Sequence, residues 1–158
     1  MGLRAGTWVV VVGLLALPAR GLDPQRSLSQ HAFDQWSVED GLPQDRVNAV
    51  AQTPDGYLWL GTMEGLGRFD GESFTTLNRR NTPGLADNRV RALASGPSGD
   101  LWVGTEAGLC RLRNHAFECW GARDGLAGGV VWALAPDGQG GVWVGAEGGL
   151  SFFKDGRF

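Results

Sequence analysis

Two cysteines, two histidines and a set of repeated aspartates are the residues of this chain whose types invite chemistry. Cys110 and Cys119 stand on either side of Asn114-His115. If those two residues form a two-residue hairpin turn, 113 faces 116, 112 faces 117 and 110 faces 119. Counted outward from the turn, the cysteines then form a non-hydrogen-bonded pair with a Cα separation of about 4.5 Å. A disulfide tolerates about 4.4 to 6.8 Å, so one can close there in an oxidising compartment. The alternative is two small buried thiols, since Gly67 and Thr76 hold the matching places one segment earlier. His31 precedes the first predicted strand and His115 sits in the turn, and both read as solvated residues rather than bases or ligands. Asp55-Gly56, Ser98-Gly99 and Asp155-Gly156 are pairs that tolerate positive φ, so they read as turns before they read as catalytic acids. No glycine-rich loop precedes a Lys-Ser/Thr, no Cys/His cluster has metal spacing and no Gly-x-Ser-x-Gly occurs. The chain is therefore expected to carry no catalytic residue, no metal and no cofactor.

The elements that must hold these residues repeat. Leu101 to Leu109 (LWVGTEAGL) is the second copy of one phrase, after Leu58 to Leu66 (LWLGTMEGL) and before Val142 to Leu150 (VWVGAEGGL). Its tryptophans, Trp59, Trp102 and Trp143, are 43 and 41 residues apart. Each copy stands in a longer unit of four short apolar runs bounded by turn residues, which is the pattern of a β-propeller blade. The prediction is an all-β fold: a partial propeller of about three four-stranded blades, at 40–78, 83–121 and 124–158, the last incomplete. A sandwich or open β-solenoid is the alternative, and the in-phase recurrence of the turns argues against it. Residues 33–38 repeat the Phe-then-Trp order of 117–120 and predict an orphan outer strand. In such blades the three tryptophans fill the wedge between neighbours. Gly61, Gly104 and Gly145 allow close approach of another strand, and Gly65, Gly108 and Gly149 supply an unusual backbone angle. Propellers close with roughly four to eight blades, so three predict exposed edges and poor solubility for the segment alone.

Composition agrees with many short strands: 26 glycines, 7 tryptophans and 20% charged residues. A net charge of −3 leaves no basic footprint for nucleic acid. Residues 1–21 differ in kind, with Arg4 before an uncharged apolar run ending near Leu17, then Pro18, Ala19 and Gly21. That is the signature of a secretory signal peptide cleaved after Ala19 or Gly21, followed by a polar bridge at 22–32. The run is shorter than the roughly 20 residues of a membrane span. A buried N-terminal helix is the alternative.

The phrases DGLPQDRVNAV (40–50), PDGYLWLGT (54–62) and GLGRFDG (65–71) resemble the two-component regulator propeller repeat. The resemblance implies the extracytoplasmic sensor of a bacterial membrane protein, usually with two seven-bladed propellers, an Ig-like domain, a membrane span and a cytoplasmic output. That output is often a histidine kinase, sometimes fused to a response regulator, and in other members a diguanylate cyclase. The chain then reads as exported, periplasmic and ligand-binding, joined to the membrane only through further C-terminal sequence, within a homodimeric parent. Its partners are further blades and a small ligand, with carbohydrate suggested by analogy. A secreted propeller lyase or hydrolase is the other function class. In propellers the loop entering each first strand and the loop between second and third strands share one face. Those loops carry Asp45, Arg46, Asp87 and Arg89, then Glu64, Glu106 and Glu147. As candidates for meeting a ligand they compete with turn caps and local ion pairs. Trp132 stands where the other units have Asn48 and Arg91, so it is a candidate stacking surface, with packing as its alternative.

Overall fold

The computed structural model describes residues 34–158. The predicted signal peptide, the bridge, His31 and Phe33 lie outside the described residues. Gln35–Phe158 forms one compact unit. Its strands are β1 (Ala49–Gln52), β2 (Leu58–Gly61), β3 (Leu66–Phe69) and β4 (Phe74–Leu77), then β5 (Val90–Ser95), β6 (Leu101–Thr105), β7 (Gly108–Arg113) and β8 (Ala116–Trp120). The third group is β9 (Val131–Pro136), β10 (Val142–Ala146) and β11 (Gly149–Phe153). These make two four-stranded sheets and one three-stranded sheet, antiparallel throughout, with each strand paired to its neighbour in sequence. They are three consecutive propeller blades. Where the third blade would have its outer strand, only a bridge between Lys154 and Arg157 closes the Asp155-Gly156 turn. Phe158 still packs on Phe153, with ring centroids 5.0 Å apart.

Of the outer strand expected at 33–38, the described residues 34–38 form no strand. Residues 34–37 are irregular and Val38–Asp40 is a single 3-10 turn. A lone strand has no ladder to join, whereas a turn satisfies itself. Asp40 Oδ2 accepts from the Ser37 amide at 2.8 Å, and Gly41 closes the turn at φ +103°. The same device recurs at Ala122–Asp124 with Gly125 at φ +104°. After these two turns a leucine is buried, Leu42 and Leu126, and Leu85 is buried at the matching place in the second unit.

Between blades the cores are continuous. Trp59 packs with Val90, Leu101, Val103 and Cys110 of the second blade, and Trp102 with Val131, Val142, Val144 and Phe153 of the third. A Cβ on Gly61 would stand 2.6 Å from a Val90 methyl, and one on Gly104 would stand 2.6 Å from a Val131 methyl. The repeated glycine is thus the socket for the next blade's first valine. Trp143 departs from the expected wedge role: it is 46% exposed, against 5% for Trp59 and 2% for Trp102. Its face, with Leu150, has no neighbouring blade in this chain.

The hairpin register at Asn114-His115 is the expected one, with both turn residues at positive φ and Cys110 opposite Cys119. The two cysteines are joined in a disulfide with Cα atoms 4.1 Å apart, slightly closer than the sequence geometry suggests.

Candidate functional site

Each blade's first strand begins at the same rim as the loop between its second and third strands. In the second blade that rim is tied together by charge. The Arg89 guanidinium donates to Asp87 from Nε (3.1 Å) and Nη2 (3.0 Å), and its Nη1 lies 2.9 Å from Glu106 Oε2. Arg91 donates to Glu106 Oε1 from Nε at 3.1 Å and also from Nη2. Glu106 is placed by its own amide, which donates to the Arg89 carbonyl at 3.1 Å. The Asp87 carboxyl is held below its ordinary value, first by the hydrogen bond from Arg89, with partial burial opposing. Arg89 is correspondingly pushed up, chiefly by the same bond.

Arg91 and Trp132 reach the rim because each sits in a β-bulge. The register of β5 on β6 shifts between Val90 and Ala92, and that of β9 on β10 shifts across Trp132. A bulge leaves its extra residue outside the ladder and re-aims its side chain. The Arg91 guanidinium lies over the Trp132 ring, 5.0 Å from its centroid. On the other side, Asn48 Nδ2 donates to the Val90 carbonyl at 2.9 Å. The three equivalent positions, Asn48, Arg91 and Trp132, thus run from blade to blade, and Trp132 remains 54% exposed.

Of the candidates chosen by position, Asp87, Arg89, Glu106 and Trp132 come together around Arg91. The rest do not join them. Asp45 is exposed and caps the 3-10 turn, accepting from the Val38 amide at 2.8 Å. Arg46, Glu64 and Glu147 are exposed on the rims of their own blades. Arg91 itself is easily passed over in the sequence, because an arginine in a predicted inner strand looks like an ordinary solvent-side residue. Its alignment with Asn48 and Trp132 is the signal that marks it.

The cluster holds no nucleophile beside a base, and the described residues contain no group of three or more His, Cys, Asp or Glu side chains placed to hold a metal. Its charges are mutually compensated. What it offers a ligand is an open aromatic face next to a network of donors and acceptors, which suits binding. No helix among the described residues is long and apolar enough to cross a membrane.

Comparison with known proteins gives a consistent picture. The family described as two component regulator propeller matches three stretches, 41–64, 84–107 and 125–148, one in each blade. A histidine kinase of Formosa agariphila is 40% identical over 55 residues, covering 35% of this chain and 4% of that protein. The extracellular domain of a hybrid two-component system from B. thetaiotaomicron superposes with a TM-score of 0.68 at 21% identity, covering 77% of this chain and 17% of that one. That of a second such system from the same organism gives 0.60 at 27% identity, covering 70% and 16%. The chain therefore spans a small part of the proteins it resembles.

Proposed function

This chain belongs to the two-component regulator propeller family, and from that premise we propose that its blades form part of the extracytoplasmic, ligand-binding sensor of a membrane-bound histidine kinase. The supporting observation is the Arg91–Trp132 rim. The repeat needs neither side chain for packing, yet bulges in two adjacent blades aim both at the same open surface. A disulfide in the second blade accords with an oxidising compartment. Kinase output is favoured over a cyclase because the relatives named above are a histidine kinase and two hybrid two-component systems. The ligand class we would screen first is carbohydrate, since Trp132 offers a ring face and Arg89, Arg91 and Glu106 offer flanking hydrogen-bond groups.

The test uses the full-length protein in membrane vesicles, with labelled ATP and a panel of oligosaccharides. The expected result is autophosphorylation whose rate responds to one oligosaccharide class, with the response lost in Trp132→Ala and basal labelling kept. A full-length protein that takes no label from ATP would overturn the kinase assignment. A response unchanged in both Trp132→Ala and Arg91→Ala would remove this rim from the sensing surface.

A further inference from the structure

At the opposite end of the strands, between the first and second blades, lies a cleft of about 230 Å³. It is lined by the β1–β2 turn on one side and by the β5–β6 and β7–β8 turns on the other, and Tyr57, Trp59, Arg68, Asp100, Leu112 and Arg113 form its walls. In the next seam aromatic rings meet at the corresponding place, and the repeat explains the difference. Between the second and third blades, Trp120 and Phe153 meet with ring centroids 4.3 Å apart, and Trp102 adds its ring 5.7 Å from Phe153. At the same repeat positions the first seam has Leu77 and Leu112 in place of Trp120 and Phe153. Two aromatic rings are replaced by two smaller side chains, and the seam is left underfilled.

The charges in the cleft are also unequal. Arg113 donates to Asp100 Oδ1 at 2.6 Å, so that pair is satisfied. Asp55 accepts from Thr53 Oγ1 at 2.5 Å and from the Tyr57 amide at 3.4 Å. Arg68 is different. It stacks over Tyr57 at 4.6 Å and makes no hydrogen bond or ion pair among the described residues. Its repeat counterpart Arg111 pairs across the strand with Glu118, whereas the residue across from Arg68 is Thr75. The Nε atoms of both arginines are buried without a partner. The contrast between them lies in the terminal nitrogens, which a carboxylate satisfies on Arg111 alone.

We propose that this cleft is a second binding site, specific for a small monocarboxylate. Arg68 receives the carboxylate in the place that Glu118 takes on Arg111, and the ligand's apolar body fills the volume that Phe153 fills in the next seam. A planar guanidinium already stacked on a ring is preorganised for a bidentate carboxylate. Asp55 and Asp100 in the same walls disfavour a phosphate or any other dianion by like-charge repulsion. A carboxylate lodged here bridges two blades, so its binding stiffens a seam on the far side from the Arg91–Trp132 rim.

Isothermal titration of the intact protein with benzoate, and with benzamide as its uncharged counterpart, tests this. Benzoate should bind saturably and benzamide at least about tenfold more weakly. Arg68→Gln should lose at least about tenfold in affinity, while Arg80→Gln, an exposed arginine outside the cleft, should bind as the parent does. Two variants keep Arg68 and the fold: Thr75→Glu supplies the internal carboxylate that Arg111 has, and Leu112→Phe supplies the ring of Phe153. Both should weaken benzoate binding. Equal affinity for benzamide, unaltered binding in both Thr75→Glu and Leu112→Phe, or no saturable binding up to about 10 mM benzoate would overturn the site. None of these outcomes depends on kinase activity or on the Trp132 rim.

Discussion

Placing one methyl group at Gly104 should open the seam between the second and third blades. Gly104 has an extended backbone that alanine can adopt, so the cost of Gly104→Ala is steric. Its Cβ would stand 2.6 Å from Val131 Cγ1, 3.1 Å from Val131 Cβ and 3.2 Å from Ala92 Cβ. Val131 is fully buried and Ala92 nearly so, which leaves no direction in which the contact relaxes cheaply. Overpacking of this kind costs about 1–3 kcal/mol. For a unit of this size that corresponds to a fall in melting midpoint of roughly 3–5 °C per kcal/mol. Gly145 holds the same repeat position, and the nearest atom to its added Cβ is Ala133 Cβ at 3.4 Å. Among the described residues no valine reaches this glycine, so in the 158-residue segment Gly145→Ala should be neutral, or stabilising by about 0.5 kcal/mol through lost unfolded-state freedom. A double-mutant cycle sharpens the comparison. Val131→Ala alone should cost roughly 2 kcal/mol as a cavity, and Gly104→Ala added to it should cost at least about 1 kcal/mol less than in the parent. Chemical denaturation of the four proteins, followed by far-UV circular dichroism, supplies the energies. If Gly104→Ala and Gly145→Ala shift the midpoint equally, or if the coupling is zero, the valine-in-glycine socket does not hold the blades together.

Four further outcomes are expected. Replacing Cys110 and Cys119 by alanine should lower stability by about 2.5 kcal/mol, from loop-closure entropy at a sequence separation of 9; two free thiols in unreduced, denatured protein would show that the bond is absent. His115→Gly should raise stability by roughly 1 kcal/mol, because the histidine is held at φ +62° where glycine is unstrained; a lower urea midpoint would contradict it. Asp87 has a folded pKa below the ordinary aspartate value of 3.8. Its contribution is therefore complete above that value and is lost as pH falls through the lower folded pKa; the melting midpoint of Asp87→Asn should converge on the parent's only in that acid range. Acrylamide should quench Trp36, Trp132 and Trp143, at 46%, 54% and 46% exposure, and spare Trp102 at 2%; phenylalanine at 36, 132 and 143 together should remove much of the quenchable emission, and phenylalanine at 102 little of it.

What could be read directly from the chain was whatever the blade repeats in phase. The Leu-Trp-x-Gly phrase locates each second strand, the glycines locate the inter-blade sockets, and the Asn114-His115 turn fixes a register that sets Cys110 opposite Cys119. These features are local or periodic, so one copy explains the others. Trp143 shows where periodicity stops helping, because its burial depends on a neighbour rather than on its own blade, and the same residue type is wedged at 102 and open at 143. Residues 34–38 form no strand for the same reason: a strand is a relation between segments, and the Ser37–Asp40 cap offers those residues a self-sufficient turn. The rim was half legible. Asp87, Arg89 and Glu106 follow from topology alone, but the bulge that aims Arg91 at Trp132 is a register slip that no spacing rule reveals. Bulged positions are where the repeat has no packing requirement. Arg91 and Trp132 sit at such bulges and Asn48 holds the equivalent place in the first unit; ladder and core leave the choice free there, so variation within the repeat, more than its constancy, points to the proposed ligand surface.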